Sequence, residues 1–241
     1  MIQWLRSLLF VGLMYFAMLP VAVIYTPWAI LSRRGAVAAT QGWCRFVIWL
    51  AGWLVGLRTE VRGLPPTGEV LIAAKHQSFL DIIVIYSAVP RGKFIMKKEL
   101  VWAPILGQFA LRIGCIPVDR GKRAQAIKQM VADVAAGRAD PGQLIIYPQG
   151  TRIAPGVKAN YKAGAGALYQ ELGQPCVPVA CNVGLFWPRK GILRKPGVAV
   201  VEFLPEIPPG LPVPAFMARL EAEVETASDR LMAEAGFVAK G

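Results

Sequence analysis

The sequence contains one histidine, four cysteines without a CxxC pair, and five serines, none of them within a GxSxG motif. A zinc site is not indicated, because zinc in proteins is usually held by several cysteine and histidine ligands. A serine nucleophile on a strand-to-helix elbow is not indicated either. We therefore expect free thiols, no bound metal and no tightly held cofactor.

Acidic residues are also scarce: 15 stand against 27 basic residues, the net charge is +12, and the first acidic residue is Glu60. Such a chain suits an anionic partner, either nucleic acid, acidic lipid headgroups or an acidic protein. The aromatic residues concentrate in the apolar N-terminal part, which favours a membrane surface over nucleic acid. In the alternative interpretation, the charge only keeps the chain soluble or orients it across a membrane.

The N-terminal part is rich in long apolar runs. Ser7–Ser32 carries no charge over 26 residues, enough for a helix of about 39 Å against about 30 Å of hydrocarbon. Pro20 and Pro27 should kink or end that helix. A second run, Phe46–Leu57, has 12 residues and is too short to span. The two runs predict a membrane-anchoring helical hairpin over residues 1–60 that either dips into one leaflet or spans once.

Tryptophans and arginines of this hairpin suit an interface between lipid and water. The residues concerned are Trp4, Trp28, Trp43, Trp49, Trp53, Arg33, Arg34 and Arg45. We expect a membrane location on the cytoplasmic side, at the inner membrane if the source is bacterial. The alternative is a secretory signal peptide with a cleavage site near Ala36–Ala39, although the apolar stretch is long for one.

From residue 61 to 241, short apolar runs alternate with segments of helical periodicity. This alternation predicts an α/β domain with a central, mostly parallel sheet flanked by helices. The predicted strands are Glu69–Ala74, Lys93–Lys97, Cys115–Val118, Gln143–Tyr147, Val177–Asn182 and Val198–Leu204; the predicted helices are Phe79–Ala88, Pro104–Arg112, Lys122–Ala136, Tyr161–Leu172 and Ala215–Ala235.

His76 directly follows a predicted buried strand, and Asp81 lies five residues further on. The carboxyl end of such a strand is where α/β sheets place ligand sites. A carboxylate one helical turn away could fold back, fix the tautomer of the imidazole and stabilise its protonated form. We therefore predict a general base, with a helix-capping histidine as the alternative. In the absence of a suitable serine, the base would activate a hydroxyl of the substrate.

A second polar segment, Tyr147–Arg152, follows the most apolar strand. Gly150 permits close backbone approach, Thr151 offers a hydroxyl, and Arg152 has the geometry of a bidentate phosphate ligand. The alternative is an ordinary turn with a solvated arginine. Arg120 is another arginine at the end of a predicted strand, although Asp119 could simply pair with it.

Four ordered blocks together resemble the HxxxxD glycerolipid acyltransferases, the family of the 1-acyl-sn-glycerol-3-phosphate acyltransferases. They are His76–Asp81, Gly114–Arg120, Tyr147–Arg152 and Cys176–Val179, and the stretch Lys97–Leu100 before Pro104 and Gly107 is similar to the family as well. The resemblance covers about residues 61–204.

The resemblance implies an acyl-CoA or acyl carrier protein donor and a lysophospholipid acceptor at a membrane. His76 would be the base, oriented by Asp81, while Arg120, Gly150 and Arg152 would hold the acceptor phosphate. Lys97, Gln149 and Thr151 are assigned to the same substrate site. Gln149 departs from the family, which usually has glutamate there, so an acceptor such as a lyso-ornithine lipid stays open. A further alternative is an inert membrane protein that binds lipid without turnover.

Overall fold

The structure is a computed structural model that describes residues 1–118, 125 and 142–238. Its strands are β1 (Leu57–Arg62), β2 (Leu71–Ala74), β3 (Gly92–Lys97), β4 (Ile116–Val118), β5 (Gln143–Ile146), β6 (Cys176–Cys181) and β7 (Gly197–Phe203). They form one sheet in the order β1-β7-β6-β2-β5-β3-β4. The β6–β7 pair is antiparallel and the other neighbours are parallel, which confirms the predicted mostly parallel sheet.

Helices cover both faces of this sheet. They are α1 (Ile2–Phe16), α2 (Met18–Leu31), α3 (Arg33–Leu50), α4 (Leu80–Ala88), α5 (Leu106–Ile113), α6 (Gly164–Leu172) and α7 (Val213–Glu234). On one face, α1, α3 and α4 share a core with strand residues such as Ile72 and Val179. On the other face, α6 and α7 pack on Leu71, Leu144 and their neighbours. Because side chains alternate along each strand, the strands contribute apolar residues to the cores on both faces of the sheet.

The first apolar run forms α1 and α2, which follow one another with a single break at Ala17. Pro20 explains the break, because its ring lacks an amide hydrogen and collides with the carbonyl of Phe16, four residues before it. Together the two helices give a 30-residue apolar segment, Ile2–Leu31, long enough to cross a membrane. Only 28% of its most apolar window is buried within the protein, so most of its side chains face outward.

The second arm of the hairpin is longer than the sequence predicted, since α3 begins at Arg33 rather than near Phe46. Small residues explain this difference. Gly35 lies where α3 approaches α2, and a Cβ atom there would stand 2.6 Å from the carbonyl carbon of Trp28. Ala36 and Ala39 are also buried in this arm. Tight helix packing through small side chains leaves little trace in hydropathy.

Two further expectations for this part are wrong. Trp43 is not at an interface: it is 8% exposed and its indole donates a hydrogen bond to the Met14 carbonyl at 3.0 Å. Leu57 is not helical but begins β1, after a single turn of π-helix that ends at Gly56. The predicted boundary between residues 60 and 61 therefore falls inside β1, a strand of the main sheet.

The remaining predicted strands and helices agree with the structure to within a few residues. The predicted helix Lys122–Ala136 lies outside the described residues, apart from Gln125, and so does Arg120.

Candidate active site

The candidate side chains gather because parallel strands end at a common edge of the sheet. β2, β5 and β3 are neighbours and run in the same direction. His76 follows β2, the segment Tyr147–Arg152 follows β5, and Lys97 is the last residue of β3. The edge at which these carboxyl ends meet is the usual position of a ligand site in an open α/β sheet.

His76 and Asp81 form the pair that the sequence predicted. The His76 Nδ1 atom lies 2.9 Å from Oδ1 of Asp81, which stands in the first turn of α4. The other oxygen, Oδ2, accepts hydrogen bonds from the backbone amides of Gln77 at 2.9 Å and Ser78 at 2.8 Å. The His76 side chain is 13% exposed and that of Asp81 is fully buried.

This geometry selects one tautomer of the imidazole. A carboxylate that already accepts two backbone amides has no proton to offer, so His76 Nδ1 must carry the hydrogen and donate it to Asp81. The Nε2 atom is then left with its lone pair, the form that a general base needs. When Nε2 takes a proton, the buried Asp81 carboxylate stabilises the resulting imidazolium.

Tyr147 packs on the imidazole from the next strand. Its ring is stacked on that of His76, with centroids 3.9 Å apart and planes 22° from parallel. Phe94 of β3 stacks on the far side of Tyr147 at 6.2 Å. Burial, followed by the nearby Asp81 carboxylate, holds the pKa of the Tyr147 phenol well above its ordinary value. Tyr147 therefore stays uncharged and packs against the imidazole as an aromatic surface.

The turn after β5 is tied directly to the histidine loop. The amide of Ile153 donates to the carbonyl of His76 at 2.8 Å. Gly150 has a φ of 70°, a backbone conformation that glycine adopts without strain. The Lys162 side chain lies across this glycine, and a Cβ atom there would stand 2.7 Å from its Nζ. The cation of Lys162 therefore stands over the backbone of the turn.

The predicted substrate residues differ in how they are placed. Thr151 and Lys97 are exposed and Arg152 is half-buried, with Arg152 Nη1 donating to the carbonyl of Arg189 at 3.5 Å. Gln149 differs from expectation: it is 3% exposed and its amide donates to Glu225 of α7 at 3.3 Å. A buried amide bonded to α7 supports the turn from within, and its assignment to the substrate site stays a prediction.

Three residues of this region were missed from the sequence: Tyr147 as the partner of the imidazole, Lys162 over Gly150, and Glu225. Tyr147 carried a signal, since it stands at the end of a strand within a block that was quoted. Lys162 carried none, because it lies 12 residues after Gly150 in a segment that the sequence assigned to a helix, and Glu225 carried none, because it reaches the site from α7, distant along the chain.

Comparison with known protein families covers the part of the chain that carries these residues. The family model described as acyltransferase matches residues 58–182, a stretch that begins in β1 and ends after β6. That stretch includes His76, Asp81 and the turn at Gly150.

Named relatives match over most of the chain. The 1-acyl-sn-glycerol-3-phosphate acyltransferase of Pseudomonas aeruginosa is 32% identical over 196 residues, covering 80% of this chain and 76% of its own. The enzyme of that name from Limnanthes alba is 32% identical, covering 78% of this chain and 66% of its own. The human alpha form is 29% identical, covering 78% and 67%.

A solved structure has the same fold. The crystal structure of the 1-acyl-sn-glycerophosphate acyltransferase from Thermotoga maritima superposes with a TM-score of 0.78. The match covers 95% of this chain and 98% of the other, at 18% sequence identity. The likeness therefore includes the N-terminal helices as well as the sheet.

Proposed function

Because the chain belongs to the 1-acyl-sn-glycerol-3-phosphate acyltransferase family, we propose that it acylates the sn-2 hydroxyl of 1-acyl-sn-glycerol-3-phosphate to give phosphatidic acid. The acyl donor is acyl-CoA or acyl carrier protein. The observation that carries the proposal is the His76–Asp81 pair, with Nδ1 bonded to a buried carboxylate and Nε2 left as the acceptor.

The reaction is a direct transfer. His76 Nε2 removes the proton of the acceptor hydroxyl as its oxygen attacks the carbonyl carbon of the thioester. The tetrahedral intermediate collapses, the carbon–sulfur bond breaks, and the thiol leaves with the proton returned by His76. General base catalysis of this kind contributes about 10²–10⁴-fold to the rate.

Cations near the turn would bind the acceptor phosphate. Arg152 offers a planar fork for phosphate oxygens, Lys162 stands over Gly150, and Lys97 ends the neighbouring strand. Arg120 and Thr151 complete the proposed set. A dianionic headgroup would be drawn to this edge, whereas a neutral lysolipid would not.

The N-terminal hairpin would hold the enzyme in the membrane that contains both lipids of the reaction. Its outward surface is apolar: Ile24, Leu31 and Trp53 are 70%, 85% and 71% exposed. The net charge of +12 suits anionic headgroups of the cytoplasmic leaflet and an acidic carrier protein as donor.

The test is acyl transfer in detergent micelles by wild type and His76→Ala, each with acyl-CoA and with acyl carrier protein. We expect turnover with 1-acyl-glycerol-3-phosphate and a loss of about 10²–10⁴-fold in the variant. Equal activity in both would remove His76 from the chemistry. Turnover with lyso-ornithine lipid alone would identify that lipid as the acceptor in place of 1-acyl-glycerol-3-phosphate. Lipid binding that survives His76→Ala, without turnover by wild type, would identify an inert binding protein.

A further inference from the structure

Lys75 is a buried cation directly before the catalytic histidine. It is 3% exposed, and its amide donates to Val179 of β6 at 2.8 Å, so its backbone continues the sheet beyond β2. Consecutive side chains of an extended segment point to opposite faces. His76 therefore contacts Asp81 on the α4 side, while Lys75 contacts α7 on the other side. A buried ammonium group requires a counter-charge.

Glu225 of α7 provides that counter-charge. Its Oε1 atom lies 2.7 Å from Lys75 Nζ, and Oε2 also contacts the ammonium. The Glu225 side chain is 28% exposed, so the ion pair is buried at its lysine end and reaches solvent at its carboxylate end. Removal of the Glu225 carboxylate would leave the Lys75 ammonium buried without a counter-charge.

The same carboxylate receives two more donors. Gln149 Nε2 lies 3.3 Å and the Tyr161 hydroxyl 2.9 Å from Oε1. Burial, and then the Glu225 charge, raise the pKa of Tyr161 above its ordinary value, so the phenol keeps its proton and donates. We call Lys75, Gln149, Tyr161 and Glu225 the Glu225 cluster. It joins the end of β2, the turn after β5 and the segment before α6.

Charge balance makes the neutral side chain at position 149 significant. One ammonium and one carboxylate cancel, and the amide of Gln149 donates to the carboxylate without adding charge. A glutamate at 149 would place a second carboxylate beside Glu225 and leave the cluster with one excess negative charge. Among the described residues, Gln149 Oε1 has no hydrogen-bond partner, so the bond from Nε2 to Glu225 is the side-chain hydrogen bond that holds this amide.

We propose that Glu225 is a positioning residue for the reaction: through Lys75 and Gln149 it fixes the two loops that carry His76 and Gly150–Arg152. Within the described part of the chain its side-chain hydrogen bonds go to Lys75, Gln149 and Tyr161, so it would act on His76 and the turn through the backbone of Lys75 and Gln149. The catalytic part of this inference rests on the proposed function. The charge pairing between positions 149 and 225 does not, and it is tested separately by unfolding.

The experiment compares Glu225→Gln, Gln149→Glu and the double variant that carries both changes. Glu223→Gln is the matched control: it is the same change on the same helix, at a surface pair with Arg219. We expect each single variant of the cluster to lower kcat at least tenfold and to lower the unfolding temperature in detergent. The double variant again has one carboxylate for one ammonium, so its kcat should recover to within about threefold of the wild-type value.

The pH profile of Gln149→Glu tests whether the added negative charge causes the loss. Two adjacent carboxylates raise the pKa of one of them, so at low pH the extra proton is held and the cluster is neutral. A carboxyl group whose pKa is higher in the folded than in the unfolded protein favours the folded state while it is protonated. This stabilisation is present below the pKa of the unfolded chain, about 4.3, and is lost as pH rises through the pKa of the folded protein. Activity relative to wild type should therefore fall from pH 5.5 to pH 8.5 in this variant and stay constant in Glu223→Gln.

Three results would overturn the inference. They are a double variant no better than the weaker single variant, Glu225→Gln equal to Glu223→Gln, and a flat ratio of Gln149→Glu to wild type across pH. The third decides the question even if Glu225→Gln does not fold. Wild type without turnover on any acceptor would refute the proposed function, and the unfolding temperatures would still decide the charge pairing.

Discussion

Replacing Asp81 with asparagine should invert the tautomer of His76 while leaving the fold in place. The buried Asp81 side chain has one oxygen on His76 and the other on two backbone amides, at 2.9 and 2.8 Å. Asparagine has one oxygen only. If its NH₂ group faced Gln77 and Ser78, two buried amides would lose their acceptor, at about 1–3 kcal/mol each. The oxygen must therefore stay with the amides.

The NH₂ group of the introduced asparagine would then face His76 Nδ1, which must accept. The hydrogen moves to Nε2, and the lone pair that takes the hydroxyl proton is lost. We expect kcat to fall by about 10²–10⁴-fold, the usual contribution of a general base. The KM values for donor and acceptor should change little, because Asp81 is fully buried and does not reach the substrate.

The single histidine makes the tautomer directly measurable. In protein carrying ¹⁵N-labelled histidine and no histidine tag, the two ring nitrogens of His76 give the only imidazole signals. Wild type should show a protonated Nδ1, and Asp81→Asn a protonated Nε2. Asp229→Asn, on the exposed face of α7, is the matched control. An unchanged tautomer, or a kcat within about threefold of wild type, would refute the reasoning.

Three other outcomes are expected. Gly150→Ala forces a φ of 70° on a residue with a side chain, which costs about 1–2 kcal/mol, and it displaces Lys162. The KM for the acceptor should therefore rise by a larger factor than kcat falls. A larger change in kcat than in KM would contradict this. Ile24→Lys should shift the protein out of the membrane fraction, unlike Val198→Lys on the sheet; equal partitioning would contradict the anchor. Burial raises the pKa of Cys115 to about 11. Burial also holds the pKa of Cys181 well above its ordinary value. These thiols should resist alkylation at pH 8, and because a raised folded pKa favours the protonated folded state, stability should fall as pH rises from about 9 to 11; rapid labelling of native protein would contradict this.

The contact between His76 and Asp81 and the position of the turn at Gly150 could be predicted because local patterns mark them. β2 and β5 are short buried runs, each followed at once by polar residues, and parallel strands bring such ends together. β1 could not be found in this way. Arg58–Arg62 contains three charged residues and only one apolar residue, Val61, directly after a long apolar run. The strand follows Gly56, which at φ 73° ends the preceding helical turn.

Glu225 could not be predicted, since its meaning depends on contacts with partners 150 and 76 positions away. On α7 its neighbours Glu221 and Glu223 have the same chemistry, and Glu223 is as exposed as Glu225 but pairs with Arg219 of its own helix. Only the packing of α7 against β6 and the end of β2 distinguishes one glutamate of this helix from the others. The sequence shows that position 149 carries glutamine where the family usually has glutamate, but the contact of Gln149 with Glu225 is visible only in the structure.

The hairpin is bound to the catalytic part by the same cores that hold the sheet. Phe10 and Val47 are fully buried against strands of the α4 face. Arg112 of α5 donates to the carbonyls of Ala29 and Ile30 at the end of α2, and the Gln41 amide donates to Val89 after α4. Under the proposed function, an apolar segment tied in this way would fix the height of the sheet edge above the lipid. It would then present His76 to acceptors that stay in the membrane, which a flexible tether would not achieve.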